Sequence, residues 1–167
     1  MNKYRKDYKG IDEICYIGDY YKFHLTNAEY KKMRIVIFAA IIALVLIFAA
    51  AGFLNNKGSF CIYVLFPYLC IFLPLTFLIR GYRRIPKQSQ PMEYAIYDKC
   101  YNRVKFSIVG IMMASMAAGI GDVVFLIKYA QEIDLIKEGS FCIANILIAG
   151  ISIFLLRYHN RIVCGRL

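Results

Sequence analysis

The sequence predicts an all-α membrane protein with four transmembrane helices arranged as two helical hairpins. Three observations lead to this fold class: four long apolar segments, a one-sided distribution of lysine and arginine, and an internal repeat. Of the 167 residues, 60% are hydrophobic and only 19% are charged. This composition is too apolar for a soluble domain of the same size.

The apolar segments cover residues 35–54, 59–79, 106–127 and 141–156, and Asp122 is the only charged residue inside any of them. At about 1.5 Å per residue, the first three reach roughly 30 Å, the thickness of the hydrocarbon core of a bilayer. The fourth reaches only about 24 Å. It must therefore stand upright, thin the bilayer or take turns from its flanks.

Lysine and arginine are concentrated on one side of the predicted membrane. Eight lie in residues 1–34, seven in residues 80–105 and three after residue 156, whereas the other two loops hold only Lys57, Lys128 and Lys137. Because cationic residues beside membrane helices stay in the cytoplasm, both termini and the middle loop are expected there, with the protein in the cell membrane. The net charge of +10 then reflects topology and attraction to lipid headgroups, and no nucleic-acid partner is expected.

An internal repeat relates the two halves of the chain. Residues 58–62 and 139–143 both read Gly-Ser-Phe-Cys-Ile, and each copy opens an apolar segment. The predicted transmembrane domain covers residues 27–167 and contains hairpin repeats at residues 27–85 and 92–162. Two helices per repeat return the chain to its starting side, so the hairpins are expected to be parallel repeats.

Residues 1–26 are expected to form a cytoplasmic or interfacial segment. Cations beside tyrosines suit the headgroup layer, and the spacing of Ile11, Ile14 and Cys15 predicts a short interfacial helix, with an irregular tail as the alternative. The segment is polar, so no cleavable signal peptide is expected.

Local signals place the first two helices. Thr26 and Glu29 form a capping-box pattern, which predicts that the first helix begins directly after Thr26. A polar turn at residues 55–58 makes the second helix antiparallel to the first. Pro67 and Pro74 each remove a backbone donor, so the second helix is expected to be kinked.

The third helix is expected to project beyond the membrane. Pro91 is predicted to lie in its first turn. Tyr94, Tyr97 and Tyr101 fall on one face of the projecting part and are expected to pack on the first helix. Beyond the membrane, residues 129–138 are expected to continue as helix along the outer surface.

Small side chains mark the third helix as a packing element. Gly110, Ala114 and Ala118 recur every four residues on one face, followed by Asp122. This spacing allows two helices to approach closely, so the three small residues are the candidate helix-packing face. Asp122 and Asn145 of the fourth helix should lie at nearly one depth and form the candidate intramembrane polar site, joined by a hydrogen bond. A charge in hydrocarbon is unfavourable by a few kcal/mol, so Asp122 is expected to face the protein interior.

Patterns typical of enzymes are missing from the sequence. His24 and His159 have no second ligand at helical spacing, and no zinc, phosphate-loop or serine-hydrolase motif is present. No catalytic residue, metal site or cofactor is therefore predicted. Cys61 and Cys142 occupy equivalent repeat positions, and free thiols are favoured there over a disulfide.

Two functions fit these observations. The leading hypothesis is a non-enzymatic membrane subunit or scaffold, which associates with itself or with a larger membrane assembly through the third helix. The alternative is a transporter or channel subunit that moves a small solute or cation past Asp122. A membrane enzyme has the least support from the residues.

The charge distribution predicts the result of a labelling experiment. In a variant without native cysteines, new cysteines at Asn56 and Gln131 should react with an impermeant thiol reagent added outside the cell. Cysteines at Gln88 and Asn160 should not react. Labelling of Gln88 from outside would contradict the predicted topology.

Overall fold

The computed structural model describes residues 8–9, 15–16, 18–54, 56–129, 134–162 and 164–166. These residues form the helices α1 (Asn27–Phe53), α2 (Ile62–Cys70), α3 (Phe72–Arg83), α4 (Tyr94–Tyr97), α5 (Arg103–Lys128) and α6 (Leu135–Arg161). α2 with α3, and α4 with α5, are continuous enough that the described chain has four helices long and apolar enough to cross a membrane. The all-α prediction with four such helices is confirmed.

The helices form a bundle in which α5 is central. α5 packs against α2, α3 and α6, while α1 packs against α6 and α3. Gly58, in the turn between α1 and α2, lies against Asp122 and Phe125 of α5 and Glu138 of α6. We call this end of the bundle the hairpin end. The fully buried core residues include Leu44, Leu78, Ile111 and Ile148.

A small β-sheet closes the opposite end of the bundle, which we call the sheet end. After a two-stranded pairing of β1 (Tyr8–Lys9) with β2 (Cys15–Tyr16), β3 (Tyr20–Phe23) pairs antiparallel with β4 (Met92–Glu93) and β5 (Cys164–Arg166). Its strands come from the N-terminal segment, the middle loop and the C-terminus. Backbone hydrogen bonds therefore hold these three segments at one end of the bundle.

The strands correct the prediction for the N-terminal segment. Cys15 lies in β2, so the predicted interfacial helix is wrong at this residue, while Ile11 and Ile14 lie outside the described residues. Tyrosine is favoured in strands, and paired strands contain the described tyrosines of this segment, Tyr8, Tyr16, Tyr20 and Tyr21.

The start of α1 is as predicted, and α6 is longer than its apolar segment. Thr26 Oγ1 accepts a hydrogen bond from the Glu29 backbone N–H at 3.3 Å, and Glu29 Oε2 accepts one from the Thr26 backbone N–H at 2.9 Å.

α6 has 27 residues and begins after Asp134, whose side chain caps the helix by accepting from the Ile136 backbone N–H. The helix therefore gains its length by taking turns from both flanks.

The third predicted helix begins and ends differently from expectation. Pro91 precedes β4, and helical structure begins at Tyr94 with Glu93 as N-cap. A π turn over Asp98–Asn102 then leads into α5. The helix ends at Lys128, and Tyr129 is its C-cap. The predicted continuation over residues 129–138 is thus wrong at its first residue, and residues 130–133 lie outside the described part.

The tyrosine face packs on the sheet, and Tyr101 also lines a small cavity with Met33 and Ile37 of α1. The ring of Tyr97 stacks on Tyr21 with centroids 4.3 Å apart. Tyr101 lies against Phe23, with centroids 6.3 Å apart, and its hydroxyl donates to the Ile162 carbonyl at 2.9 Å. Because β3 occupies the space beside α4, the aromatic face finds its partners there.

The two copies of the repeated pentapeptide adopt different structures. Gly58–Phe60 form a 3-10 turn before α2, whereas the second copy lies within α6. Phe60 is 78% exposed and Phe141 is 1% exposed. Five identical residues therefore do not create equivalent packing, and the duplication of the hairpins stays a prediction.

The described cysteines and loop residues refine two expectations. Cys61 and Cys142 are free thiols, as favoured from the sequence. Asn56 is 1% exposed, so exposed Lys57 is the better labelling position in the same turn. Gln131 lies outside the described residues.

The prolines of the second helix create the contact with α5. The helix breaks at Ile71, between α2 and α3. Pro67 has no N–H, so the Tyr63 carbonyl lacks its usual intrahelical donor. Gly121 of α5 lies against that carbonyl, since a Cβ on Gly121 would be 2.8 Å from the Tyr63 oxygen. The glycine thus allows close approach at the point where proline has freed the carbonyl.

Gly110 makes a similar contact nearer the sheet end. A Cβ at this position would lie 3.2 Å from the Cβ of Pro74. Glycines of α5 therefore lie against Pro74 at one place and against the Tyr63 carbonyl, which Pro67 leaves without its helical donor, at the other. The small residues allow the α5 backbone to approach a helix whose surface is irregular.

This contact predicts a destabilising substitution. In Gly121→Ala the new methyl group would meet the Tyr63 oxygen, so the backbones would have to separate, at a cost of about 1–3 kcal/mol in the free energy of unfolding. The matched control is Gly139→Ala in α6, because no atom lies within 4 Å of its Cβ position and it is not part of the groove between α5 and α6. The control should be neutral or stabilise by up to about 1 kcal/mol. Thermal unfolding in detergent micelles measures the difference, and equal midpoints for both variants would contradict the close contact.

Candidate functional site

Asp122 lies inside the bundle at the hairpin end. Its side chain is 0% exposed, and neither carboxylate oxygen has a hydrogen-bond partner among the described residues. A buried polar group without partners is unfavourable by about 1–3 kcal/mol, and a charged group by more. Such residues in helices that cross membranes commonly mark functional sites.

A second buried carboxylate, Glu138, comes from the first turn of α6. Its side chain is 1% exposed. Its Oε1 accepts a hydrogen bond from the Gly58 backbone N–H at 3.0 Å, and its Oε2 accepts one from Asn56 Nδ2 at 2.9 Å. Glu138 therefore ties the start of α6 to the turn between α1 and α2.

Gly58 is the point at which the two carboxylates meet. A Cβ on Gly58 would lie 2.7 Å from Glu138 Oε2 and 2.9 Å from Asp122 Oδ1. Any larger residue would push on both oxygens, so the absence of a side chain lets the turn rest on them. We call Asn56, Gly58, Asp122 and Glu138 the hairpin-end polar site.

The described polar contacts of this site are made by amide groups, backbone N–H groups and carboxylates. Salt bridges join Lys137 to Asp134 at 3.3 Å and Arg166 to Asp19 at 2.6 Å. Neither Asp122 nor Glu138 forms a salt bridge within the part of the chain that the structure describes. Nearby carboxylates that are shielded from water repel each other more strongly than they would at the surface.

Asn145, the expected partner of Asp122, lies outside this site. Its Nδ2 donates to the Phe141 carbonyl one turn earlier in α6 at 3.0 Å, and the expected hydrogen bond to Asp122 is not formed. Asn145 instead packs beside Gly119, whose Cβ position is 3.6 Å from the Asn145 Cβ. The sequence predicted the depth of Asp122 and Asn145 along their helices. However, α6 is rotated so that the Asn145 amide does not bond to Asp122.

Sequence reasoning missed Glu138 and Asn56 because both are polar residues at turns. Their positions do carry a signal, since Glu138 immediately precedes one copy of the repeated pentapeptide and Asn56 lies two residues before the other. The pattern cannot show which turn residues point inward. Only the packing of the two hairpins brings them together.

The residues predicted to form a helix-packing face are used within the chain. Ala118 is 0% exposed, and Gly110 lies against Pro74. Ala114 is partly buried against the same core. A different face of α5 is therefore the one that remains open.

That open face borders a groove between α5 and α6 with a volume of about 510 Å³. Large apolar side chains form its walls, among them Met116, Ile120 and Ile153. Gly119, Ala149 and Gly150 supply the small residues of its lining. Asn145 also lines the groove, and its Oδ1 has no hydrogen-bond partner.

The histidines and cysteines do not combine into a metal site. No group of three His, Cys, Asp or Glu side chains that could hold a metal ion occurs among the described residues. At the sheet end, the His159 ring lies 4.2 Å from the ring of Tyr101. Burial raises the pKa of the Cys164 thiol in β5 to about 11, which keeps this thiol protonated and unreactive at neutral pH.

Comparison with known protein families, curated proteins and solved structures finds no match for this chain. Its function is therefore argued from the geometry of its own sites.

Proposed function

We propose that this chain is a small multi-pass protein of the cell membrane and acts as a non-enzymatic subunit that associates through α5 and α6. Four helices of sufficient length and apolarity support the membrane location. The lysine and arginine distribution supports cytoplasmic termini. The sheet supports this topology further, because it joins both terminal segments to the middle loop.

The groove between α5 and α6 is the observation that carries the proposed association. Apolar burial alone drives little helix association in lipid, so close packing and polar contacts must supply the free energy. The small residues of the lining leave room for such packing, and no atom lies within 4 Å of a Cβ on Gly150. A transmembrane helix seated there would contact both α5 and α6.

A second copy of this chain is the partner that we propose. Two copies with the same topology can face each other across an axis along the membrane normal, so that the same surface is used twice. Asn145 fits this arrangement, because one of its two N–H groups donates to Phe141 and its Oδ1 is unpartnered. Across the axis, the second N–H of each Asn145 could donate to the oxygen of the other.

Filling the groove should weaken self-association. In Gly150→Leu the new side chain occupies the space intended for the partner helix, and we expect the dissociation constant to rise about tenfold or more, equivalent to about 1.4 kcal/mol. The matched control is Gly139→Leu, which lies in the same helix and also has no atom within 4 Å of its Cβ position. Resonance energy transfer between labelled copies in proteoliposomes, measured over a series of protein-to-lipid ratios, gives the dissociation constant. An unchanged value for Gly150→Leu would refute the proposed interface.

Transport of a small cation or solute is the second candidate function, favoured by the unpartnered carboxylate of Asp122 beside Glu138. If Asp122 lines a path, Asp122→Asn should abolish flux into proteoliposomes, because the amide has similar volume but no charge. The control is Asp134→Asn, an exposed carboxylate near the same end of the bundle. Flux that persists in Asp122→Asn would dismiss Asp122 as part of a path.

A further inference from the structure

We propose that the hairpin-end polar site binds a divalent cation of the Ca²⁺ type, with Asp122, Glu138 and Asn56 as ligands. The proposal requires neither self-association nor transport, because a cation can bind at this site without crossing the membrane. Of the proposed ligands, Asp122 is the only charged residue inside an apolar segment, whereas Glu138 and Asn56 lie outside the apolar segments.

The first argument for a bound cation is the charge of the site. Asp122 and Glu138 are 0% and 1% exposed, and no side chain in the described part of the chain forms a salt bridge with either. Two buried carboxylates without a counter-charge are strongly unfavourable. A cation of charge +2 would neutralise both at once.

The second argument is that several buried oxygen atoms have no hydrogen-bond partner. Within the part of the chain that the structure describes, both oxygens of Asp122 lack a hydrogen-bond partner, although the side chain is fully buried. Asn56 is 1% exposed and directs its amide toward Glu138, to which Nδ2 donates at 2.9 Å, while its Oδ1 has no partner. Since Asn56 is uncharged, its free oxygen indicates a missing ligand independently of the acidic residues.

The chemistry of these atoms selects the class of cation. All of the free groups are carboxylate or amide oxygens, the ligands of hard cations such as Ca²⁺ and Mg²⁺. Mg²⁺ retains several waters in a strict octahedron, whereas Ca²⁺ accepts irregular sets of protein oxygens. A site in which Asn56, Asp122 and Glu138 are at most 1% exposed has little room for a hydrated ion, so Ca²⁺ should bind more tightly than Mg²⁺.

The position of the ligands gives the cation a structural effect. Asn56 belongs to the turn of the first hairpin, whereas Asp122 and Glu138 come from α5 and α6 of the second. A cation bound to all three would join the two hairpins at the end opposite the three-stranded β-sheet. Cation binding should therefore stabilise the fold measurably.

The test is a titration of the purified full-length protein in detergent, after treatment with a chelator, with CaCl₂, MgCl₂ or NaCl. Thermal unfolding and isothermal titration calorimetry are recorded together. At about ten times the dissociation constant, Ca²⁺ should raise the unfolding midpoint by about 3–6 °C. Mg²⁺ should give a smaller rise, and Na⁺ at equal ionic strength should give none.

Asp122→Asn should abolish both the calorimetric signal and the rise in midpoint. This variant should fold, because Asp122 loses no hydrogen bond on substitution. Asp134→Asn is the matched control, since Asp134 is an exposed carboxylate near the same end, and it should respond to Ca²⁺ as the unmodified protein does. Gly58→Ala, which places a methyl group beside both carboxylates, is a second variant that should weaken Ca²⁺ binding.

Three outcomes would overturn the proposal. The first is an unmodified protein that gives no Ca²⁺ signal, in which case a proton is the occupant of the carboxylate pair. The second is Ca²⁺ binding that survives Asp122→Asn. The third is a response lost equally in Asp134→Asn, which would place the cation on surface carboxylates. Flux measurements are independent of each outcome, so the transport hypothesis can fail while this proposal holds.

Discussion

The contact between α5 and the proline-interrupted second helix determines the rest of the structure. Pro67 leaves the Tyr63 carbonyl without its helical donor, and Gly121 brings the α5 backbone to within contact of that oxygen. Asp122 is the next residue, so this contact also fixes its depth and places it beneath the Gly58 turn. A larger residue at Gly121 would push α5 away from the Tyr63 carbonyl and shift Asp122 with it.

The same contact makes the two sides of α5 unlike each other. Gly110, Ala118 and Gly121 face the rest of the chain, whereas Met116, Ile120 and Val123 border the groove shared with α6. Because lipid gives helices little hydrophobic reason to associate, the small residues determine where the chain packs on itself. The open side of α5 is then left for lipid or for a partner helix. The large side chains that form the walls of the groove limit the size of the group that fits there.

The two ends of the bundle are held by different interactions. At the sheet end, the antiparallel strands and the stacked Tyr21 and Tyr97 rings join the terminal segments to the middle loop. At the hairpin end, hydrogen bonds from Asn56 and Gly58 to Glu138 join the hairpins, and the carboxyl group of Glu138 lies beside that of Asp122. Directional backbone bonds hold the first end together. The second end satisfies Glu138 but leaves Asp122 without a partner, which makes it the place where a bound ion would change stability.

The sequence alone determined the four long helices, the start of α1 and the break in the second helix, because apolar length, a capping box and proline act over a few neighbouring residues. It also identified Asp122 as exceptional, since a single charge in an apolar segment needs no partner to be noticed. Tertiary structure alone decided that Tyr94, Tyr97 and Tyr101 face a sheet, that Gly110 and Ala118 pack within the chain, and that Asp122 meets Glu138 instead of Asn145. These outcomes depend on how helices rotate about their axes and on which turn residues point inward. Both properties are set by contacts between residues distant in sequence, such as Asn56 with Glu138, which no local pattern specifies.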